Sequence, residues 1–282
     1  MKRLIRWALN RLPRTLLQRL AGWMVPVAGL LYAGRGRECP VCGARRRKFM
    51  PYGYVTQRED ALCPSCLSLE RHRALWLLLF GSEGEMAGRA ADRGKATDRG
   101  KGVVTTRQGL KFSGRLLHIA PEVCFRKRLR RIMQRAGGEY VTADLESPLA
   151  DLHFDVQQIP LADGSACTII CNHLLEHVAD DRRALSELYR IMAVGGWGVL
   201  TVPVDLTRAA TFEDDSVTDP VERTRIFGQY DHRRIYGLDY GERLREAGFE
   251  VEVVDVAAAM SDEECRRYAI RRREPIYIVR KS

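Results

Sequence analysis

Four cysteines stand in two pairs, Cys39-Pro-Val-Cys42 and Cys63-Pro-Ser-Cys66, with 20 residues between the pairs. Four thiolates suffice to surround one Zn²⁺ tetrahedrally, and each two-residue spacer lets a single turn present two sulfurs. Proline inside each pair and Gly43 after the first suit tight knuckle turns. A closed set of four leaves no open coordination position, so the spacing predicts an ion that folds a small module and does not catalyse. A redox pair and two disulfides are the competing uses of these thiols, and two pairs on one small unit argue against redox work. Cys124, Cys167, Cys171 and Cys265 show no such pairing. That usage suits a reducing, cytoplasmic compartment better than a disulfide framework.

Three histidines could move protons near neutral pH. His173 ends an apolar run, His177 follows Glu176, and His232 lies in Asp231-His232-Arg233-Arg234-Ile235-Tyr236. Each also has a bland use as a polar packing residue. Phe212, Phe227, Tyr230, Tyr236 and Tyr240 around His232 either recognise a polar or anionic molecule or belong to the core. Asp144 ends another apolar run, 24 residues after Ala120. A carboxylate there either accepts both hydroxyl hydrogens of a ribose or caps the turn that follows it.

The elements that must position these residues read as strands and helices in alternation. Arg115–Ala120, Glu139–Asp144, Leu152–Val156, Ala166–Asn172 and Trp197–Val202 are apolar strand runs. Phe125–Ala136, Asp180–Met192 and Asp239–Ala247 carry helical spacing, with Gly137-Gly138, Gly195-Gly196 and Gly248 as stops. Phe249–Asp255 and Pro275–Arg280 are two closing strands joined by a charged connection. This order predicts a Rossmann-like α/β domain: a mostly parallel sheet, helices on both faces, and an antiparallel hairpin at the C-terminus.

The segment FDVQQIPLADGSACTIICNHLLEHVADDRRALSELYRIMAVGGWGVLTVPVD, residues 154–205, resembles the second half of type 11 class I S-adenosylmethionine (SAM) dependent methyltransferases. The runs PYGY, REDALCPSCLSLERHR, LLHIAPE, TADLESPLAD, CNHLLEHV and FGQYDHRRIYGLDY are similar to a bacterial subgroup that joins a Cys₄ module to such a domain. The likeness covers nearly everything from Cys39 to Lys281. It implies SAM as methyl donor. It assigns cofactor contacts to His118, Ala120, Pro121 and Glu122 in the first turn, and to Asp144 and Leu145 at the ribose. Asp155 and Val156 would flank the adenine, and Asn172 and His173 would lie under the methionine part. The first turn departs from the usual pattern of such domains, since it has no glycine and Pro121 removes a backbone donor. The segment after the fifth strand commonly covers the acceptor in this fold, which brings His232 beside His173 and His177 as base candidates.

Charge is unevenly spread. Residues 1–48 hold 12 of the 46 Lys and Arg and a single acid, Glu38, leaving 34 bases against 35 acids elsewhere. Leu4, Ile5, Ala8, Leu9, Leu12, Leu16 and Leu20 fall near one helical face, with Pro13 dividing it. The uncharged run Leu20–Gly34 has 15 residues, short of the roughly 20 a spanning helix needs. A basic amphipathic arm at 1–34 is thus expected, lying on the inner membrane surface or on the protein's own body. A signal peptide would share the basic-then-apolar order, but not so long a basic segment nor the thiols that follow. A Cys₄ module with its helix is expected at 35–80, a Gly- and charge-rich linker at 81–114, and the large domain at 115–282. The expected acceptor is a polar small molecule or lipid-linked sugar. An RNA acceptor is the competing enzyme reading, and a non-catalytic binding protein on the same scaffold is the third.

Overall fold

The structure, a computed structural model, describes residues 29–53, 57–82 and 104–282. Most of the expected arm and most of the expected linker lie outside these residues. Among the described residues no helix is long and apolar enough to cross a membrane.

The centre is a seven-stranded sheet of β7 (Arg115–Ile119), β8 (Glu139–Asp144), β9 (Leu152–His153), β10 (Ala166–Asn172), β11 (Met192–Thr201), β14 (Glu250–Val254) and β15 (Ile276–Arg280). Its spatial order is β14-β15-β11-β10-β7-β8-β9. The five strands from β11 to β9 are parallel, and β15 pairs antiparallel with both β11 and β14. The alternating α/β fold expected from the apolar runs is therefore the one observed. The chain runs outward from β7 to β8 and β9 on one side, then returns to β10 and β11 on the other. The boundary between β7 and β10 is the topological switch point, where open α/β sheets bind ligands beyond their strand ends.

Period-two alternation gives the sheet two apolar faces. Leu116, Ile170, Val199 and Ile278 face one core; Leu117, Ile169, Leu200 and Val279 face the other. The first is covered by α1 (Glu70–Phe80), α2 (Val123–Ala136) and α6 (Asp262–Tyr268), the second by α3 (Asp181–Ile191) and α5 (Tyr240–Glu246), while β12 (Phe212–Glu213), α4 (Pro220–Phe227) and β13 (Arg234–Ile235) make up the segment after β11. On α2 the apolar stripe Cys124, Phe125, Leu129 and Met133 is buried while its arginines point outward. Gly137, in the left-handed region at φ +70°, closes that helix by donating to the last-turn carbonyls.

The Cys-rich segment is built from β1 (Ala33–Glu38), β2 (Arg45–Arg46), β3 (Met50–Tyr52) and β4 (Arg58–Leu62). It is continuous with the first core, because Cys39, Val41, Phe49 and Cys63 pack in one cluster with α1 and the sheet. Arg73 of α1 welds the two. It is fully buried and donates to the carbonyls of Ala61 and Ser68 on one side, and to those of Tyr268 and Ala269 on the other.

Three local readings change. Residues 104–114, grouped with the linker by composition, contain a hairpin of β5 (Val104–Thr105) and β6 (Lys111–Phe112). Its Phe112 is buried between Phe80 and Trp197, so one aromatic anchor outweighs a polar composition. Helix α3 ends at Ile191, before Gly195-Gly196. The glycines instead serve a bulge in β11, where the register with β10 shifts and a Cβ on Gly196 would lie 2.7 Å from the Ala193 carbonyl. The charged connection before β15 holds α6, whose Ser261 and Glu264 form a capping box.

Candidate active site

The Cys-x-x-Cys turns bring all four sulfurs together. Cys39 Sγ lies 3.6 Å from Cys66 Sγ, and Cys42 Sγ lies 3.9 Å from Cys63 Sγ. Sulfurs on a tetrahedral Zn²⁺ at about 2.3 Å stand about 3.8 Å apart, so the spacing suits that ion. Gly43 takes the left-handed φ of +69° that closes the first knuckle. Hydrogen bonds among the thiols, led by those of Cys39, pull the Cys63 thiol down and push Cys42 and Cys66 up. So dense a thiol group cannot ionise fully without a cation among the sulfurs.

At the switch point two non-glycine residues are forced into the left-handed region, Ala120 at φ +48° after β7 and His173 at φ +52° after β10. Such strain persists only where surrounding bonds fix it. Here Ala120 N–H donates to the Ala143 carbonyl and His173 N–H to that of Thr201. Glu122, the N-cap residue of α2, folds its carboxylate back over the strand ends. It meets His118 Nε2 in a very short contact, and Asn172 Nδ2 donates to it at 3.0 Å. Thr201 Oγ1 donates to Asn172 Oδ1 at 2.7 Å, and His118 Nδ1 meets the Tyr140 hydroxyl at 2.9 Å. Burial opposes ionisation of Glu122, but the His118 bond, the His118 and His72 charges and the Asn172 bond outweigh it and hold its pKa at about 2. The crevice between β7 and β10 therefore carries a carboxylate held ionised beside His118.

His72 comes from α1. Its Nδ1 accepts from Leu69 N–H, so the neutral ring carries its hydrogen on Nε2. That nitrogen lies 3.8 Å from Glu122 Oε1, buried and without a hydrogen-bond partner. Burial, with the charge of Arg71 behind it, depresses the His72 pKa to about 3. Nothing in the local sequence spacing of His72 signals the crevice.

The other expected cofactor residues stand at or just after the ends of β7, β8 and β9. Asp144 caps the turn that follows it. Its Oδ1 accepts from the Glu146 and Ser147 amides, while Oδ2 makes no hydrogen bond among the described residues. Leu145 beside it is exposed and Val156 buried. Asp155 caps its own turn, taking bonds from the Gln157 amide and side chain. Pro121 bridges Ala120 to Glu122 without offering a donor. His118 is fully buried with both ring nitrogens engaged, so it acts on the crevice through Glu122 and does not line it.

The three base candidates converge beyond β10. His177 lies in the turn before α3, and its ring meets that of His232 edge-on at 4.8 Å. His177 Nδ1 is 3.3 Å from Asp231, and His232 Nδ1 donates to the Phe227 carbonyl at 3.2 Å. His173 Nδ1 is 3.4 Å from Glu176 Oε1. Burial lowers the His232 pKa, so that ring is neutral near pH 7. The turn is held by the segment after β11. Arg233 N–H donates to the Glu176 carbonyl, and buried Arg234 donates to the carbonyls of Leu175, Val178 and Ala179. Sequence reasoning missed Arg234, whose only signal was its place beside His232. Tyr236 and Tyr240, left open as ligand or core residues, are fully buried in the core.

Residues 100–200 match the family model described as a methyltransferase domain. No curated protein has a matching sequence. Among solved structures, a SAM-dependent methyltransferase from Mesorhizobium loti is 16% identical, with a TM-score of 0.41 over 62% of this chain and 95% of that one. One from Archaeoglobus fulgidus is 14% identical, with a TM-score of 0.38 over 60% of this chain and 86% of that one. The family match spans β7 to β11, the strands that build the crevice, so this stretch of the chain is similar to a methyltransferase domain.

Proposed function

We propose that the protein transfers the methyl group of SAM to a polar small molecule or a lipid-linked sugar, in a crevice whose walls are steadied by a structural zinc. The observation that carries the cofactor part is the ionised Glu122 held at the switch point. Its Oε1 takes one bond from Asn172 Nδ2 and keeps a further lone pair with which to accept from the α-ammonium of SAM. When bound, SAM offers a sulfonium methyl group open to in-line attack. Asp144 Oδ2 accepts from the ribose hydroxyls, with Oδ1 locked in its turn so that the carboxylate does not wander. Leu145, exposed at the rim, and Val156 provide apolar contact for the adenine. His173, fixed by its strained backbone and by Glu176, presents Nε2 as the base for the acceptor's proton. Cys39, Cys42, Cys63 and Cys66 would hold Zn²⁺, and their role is to fold α1 against the crevice.

Residues 1–34 lean, in this reading, on anionic lipid near a lipid-linked acceptor. Flotation with phosphatidylglycerol vesicles tests that part and should fail after deletion of residues 2–28.

Calorimetric titration with SAM tests the cofactor site. Binding should weaken about tenfold to 100-fold in Asp144→Ala, as loss of a charge-assisted hydrogen bond requires. Glu122→Gln should weaken it comparably. Zinc-loaded wild-type protein that takes up no SAM would sink the proposal. Incubation with methyl-labelled SAM and fractionated cell extract then identifies the acceptor.

A further inference from the structure

Glu176, His177 and His232 place three metal-ligating groups within 4.8 Å of one another. Glu176 Oε2 is buried and has no hydrogen-bond partner, an expensive condition for a charged oxygen. Both imidazoles are oriented from behind. Asp231 meets His177 Nδ1 and the Phe227 carbonyl meets His232 Nδ1, leaving Nε2 of each ring without a bond among the described residues. A carboxylate or carbonyl on the far ring nitrogen is the usual backing of a metal-bound histidine. The main chain is fixed too, through the Arg233 amide and the Arg234 guanidinium.

We infer that Glu176, His177 and His232 form a second metal site, for a divalent transition ion, which holds the oxygen atom that receives the methyl group. Two imidazoles and one carboxylate favour ions such as Zn²⁺, Co²⁺ or Fe²⁺ and leave open coordination positions, unlike the four-cysteine set. Ligands at about 2.1 Å from a tetrahedral ion stand about 3.4 Å apart, so the group needs to contract by up to about 1.4 Å. The side chains follow β10 directly, and His173 touches Glu176 on one side and borders the Glu122 crevice on the other. An ion there lowers the pKa of a bound hydroxyl and aims it at the crevice. The hydroxyl proton passes to His173 Nε2, the oxygen lone pair forms the O–CH₃ bond, and the S–CH₃ bond breaks with its electrons left on sulfur. The acceptor is therefore an oxygen nucleophile. This assignment rests on the methyltransferase reading above.

The test uses full-length protein whose cysteine set is already filled with Zn²⁺, titrated with Co²⁺ by calorimetry and visible spectroscopy. One further equivalent should bind, with weak visible bands and no sulfur-to-metal charge transfer. Glu176→Gln and His232→Ala should each weaken Co²⁺ at least about 100-fold. Asp231→Asn, which removes no ligand, should weaken it about tenfold to 100-fold, a change that a merely structural histidine pair would not produce. If Glu176→Gln fails to fold, judged by its zinc content, the half-exposed His177→Ala carries the test. Absence of a further equivalent in wild type, or unchanged Co²⁺ affinity in the variants, overturns the site. A labelled product methylated on nitrogen overturns the oxygen assignment. SAM titrated into the same samples separates the two proposals. SAM binding without a Co²⁺ site sinks the metal site alone, and a Co²⁺ site without SAM binding sinks the cofactor reading alone.

Discussion

The two clusters of metal-ligating side chains differ in how the chain makes them. The Cys₄ set comes from two local turns, is closed, and shares a core with α1 and the sheet. The Glu176, His177 and His232 set joins residues 56 apart in sequence at its ends, is partly exposed, and rests on hydrogen bonds to main-chain carbonyls. Local closure builds scaffold, whereas long-range closure leaves room for a reactant. Between them runs α1, which carries Arg73 toward the first cluster and His72 toward the crevice.

The contrast is most severely tested by removing the closed site. Cys63→Ser should cost on the order of 10 kcal/mol of folding free energy in the module, the apparent scale of structural zinc sites. Because the core is shared, melting of the whole sheet should shift with it. A normal melt followed by circular dichroism would separate the two regions and break the comparison.

Next come the two buried arginines. Arg73→Met strands carbonyls on both sides of the module joint, and Arg234→Met strands those of the Glu176 turn. Each should cost about 3–5 kcal/mol in denaturant unfolding. Only Arg234→Met should also loosen the imidazole pair, seen as broadened histidine ring signals in NMR. Equal broadening in both would show that the clusters are not independent.

Acid should act through α1. The folded pKa of His72 is depressed to about 3 from 6.5, so the unfolded chain binds the extra proton between those values. Stability is full above the unfolded pKa and falls as pH drops from 6.5 toward 3. Glu122, depressed from 4.5 to about 2, adds a further loss below pH 4.5. At about 1.4 kcal/mol per pKa unit, the His72 part amounts to roughly 3 kcal/mol by pH 4. Urea titrations at pH 7 and pH 4 measure it, and His72→Gln should remove most of the difference.

The smallest effect concerns backbone strain. Ala120 sits at φ +48° where glycine would be relaxed. Ala120→Gly should stabilise by up to about 1 kcal/mol, since the left-handed region costs alanine about 1–2 kcal/mol and glycine returns part of that as unfolded-chain entropy. A loss of stability would show that the methyl group packs a contact more valuable than the strain.

Much of this was legible in residue order. Each Cys-x-x-Cys pair is made within one turn, so its chemistry is written in its spacing. The apolar runs gave the strand order's parallel core because period and connection length are local too. Asp144 could be placed at a strand end, although only the fold shows one oxygen in its turn and the other open. Glu176 was passed over, even though His173, Glu176 and His177 stand within five residues.

What residue order alone determined was the set of parts: a four-thiol knuckle, a Rossmann-like strand and helix succession, and a carboxylate after the second strand. Tertiary structure alone decided that Glu122 turns back onto His118 and Asn172, that His72 faces it from another element, and that His232 returns to His177. The physical reason is range. Contacts within a turn follow from backbone geometry, but contacts across tens of residues exist only once burial of both sheet faces has fixed where each loop must end.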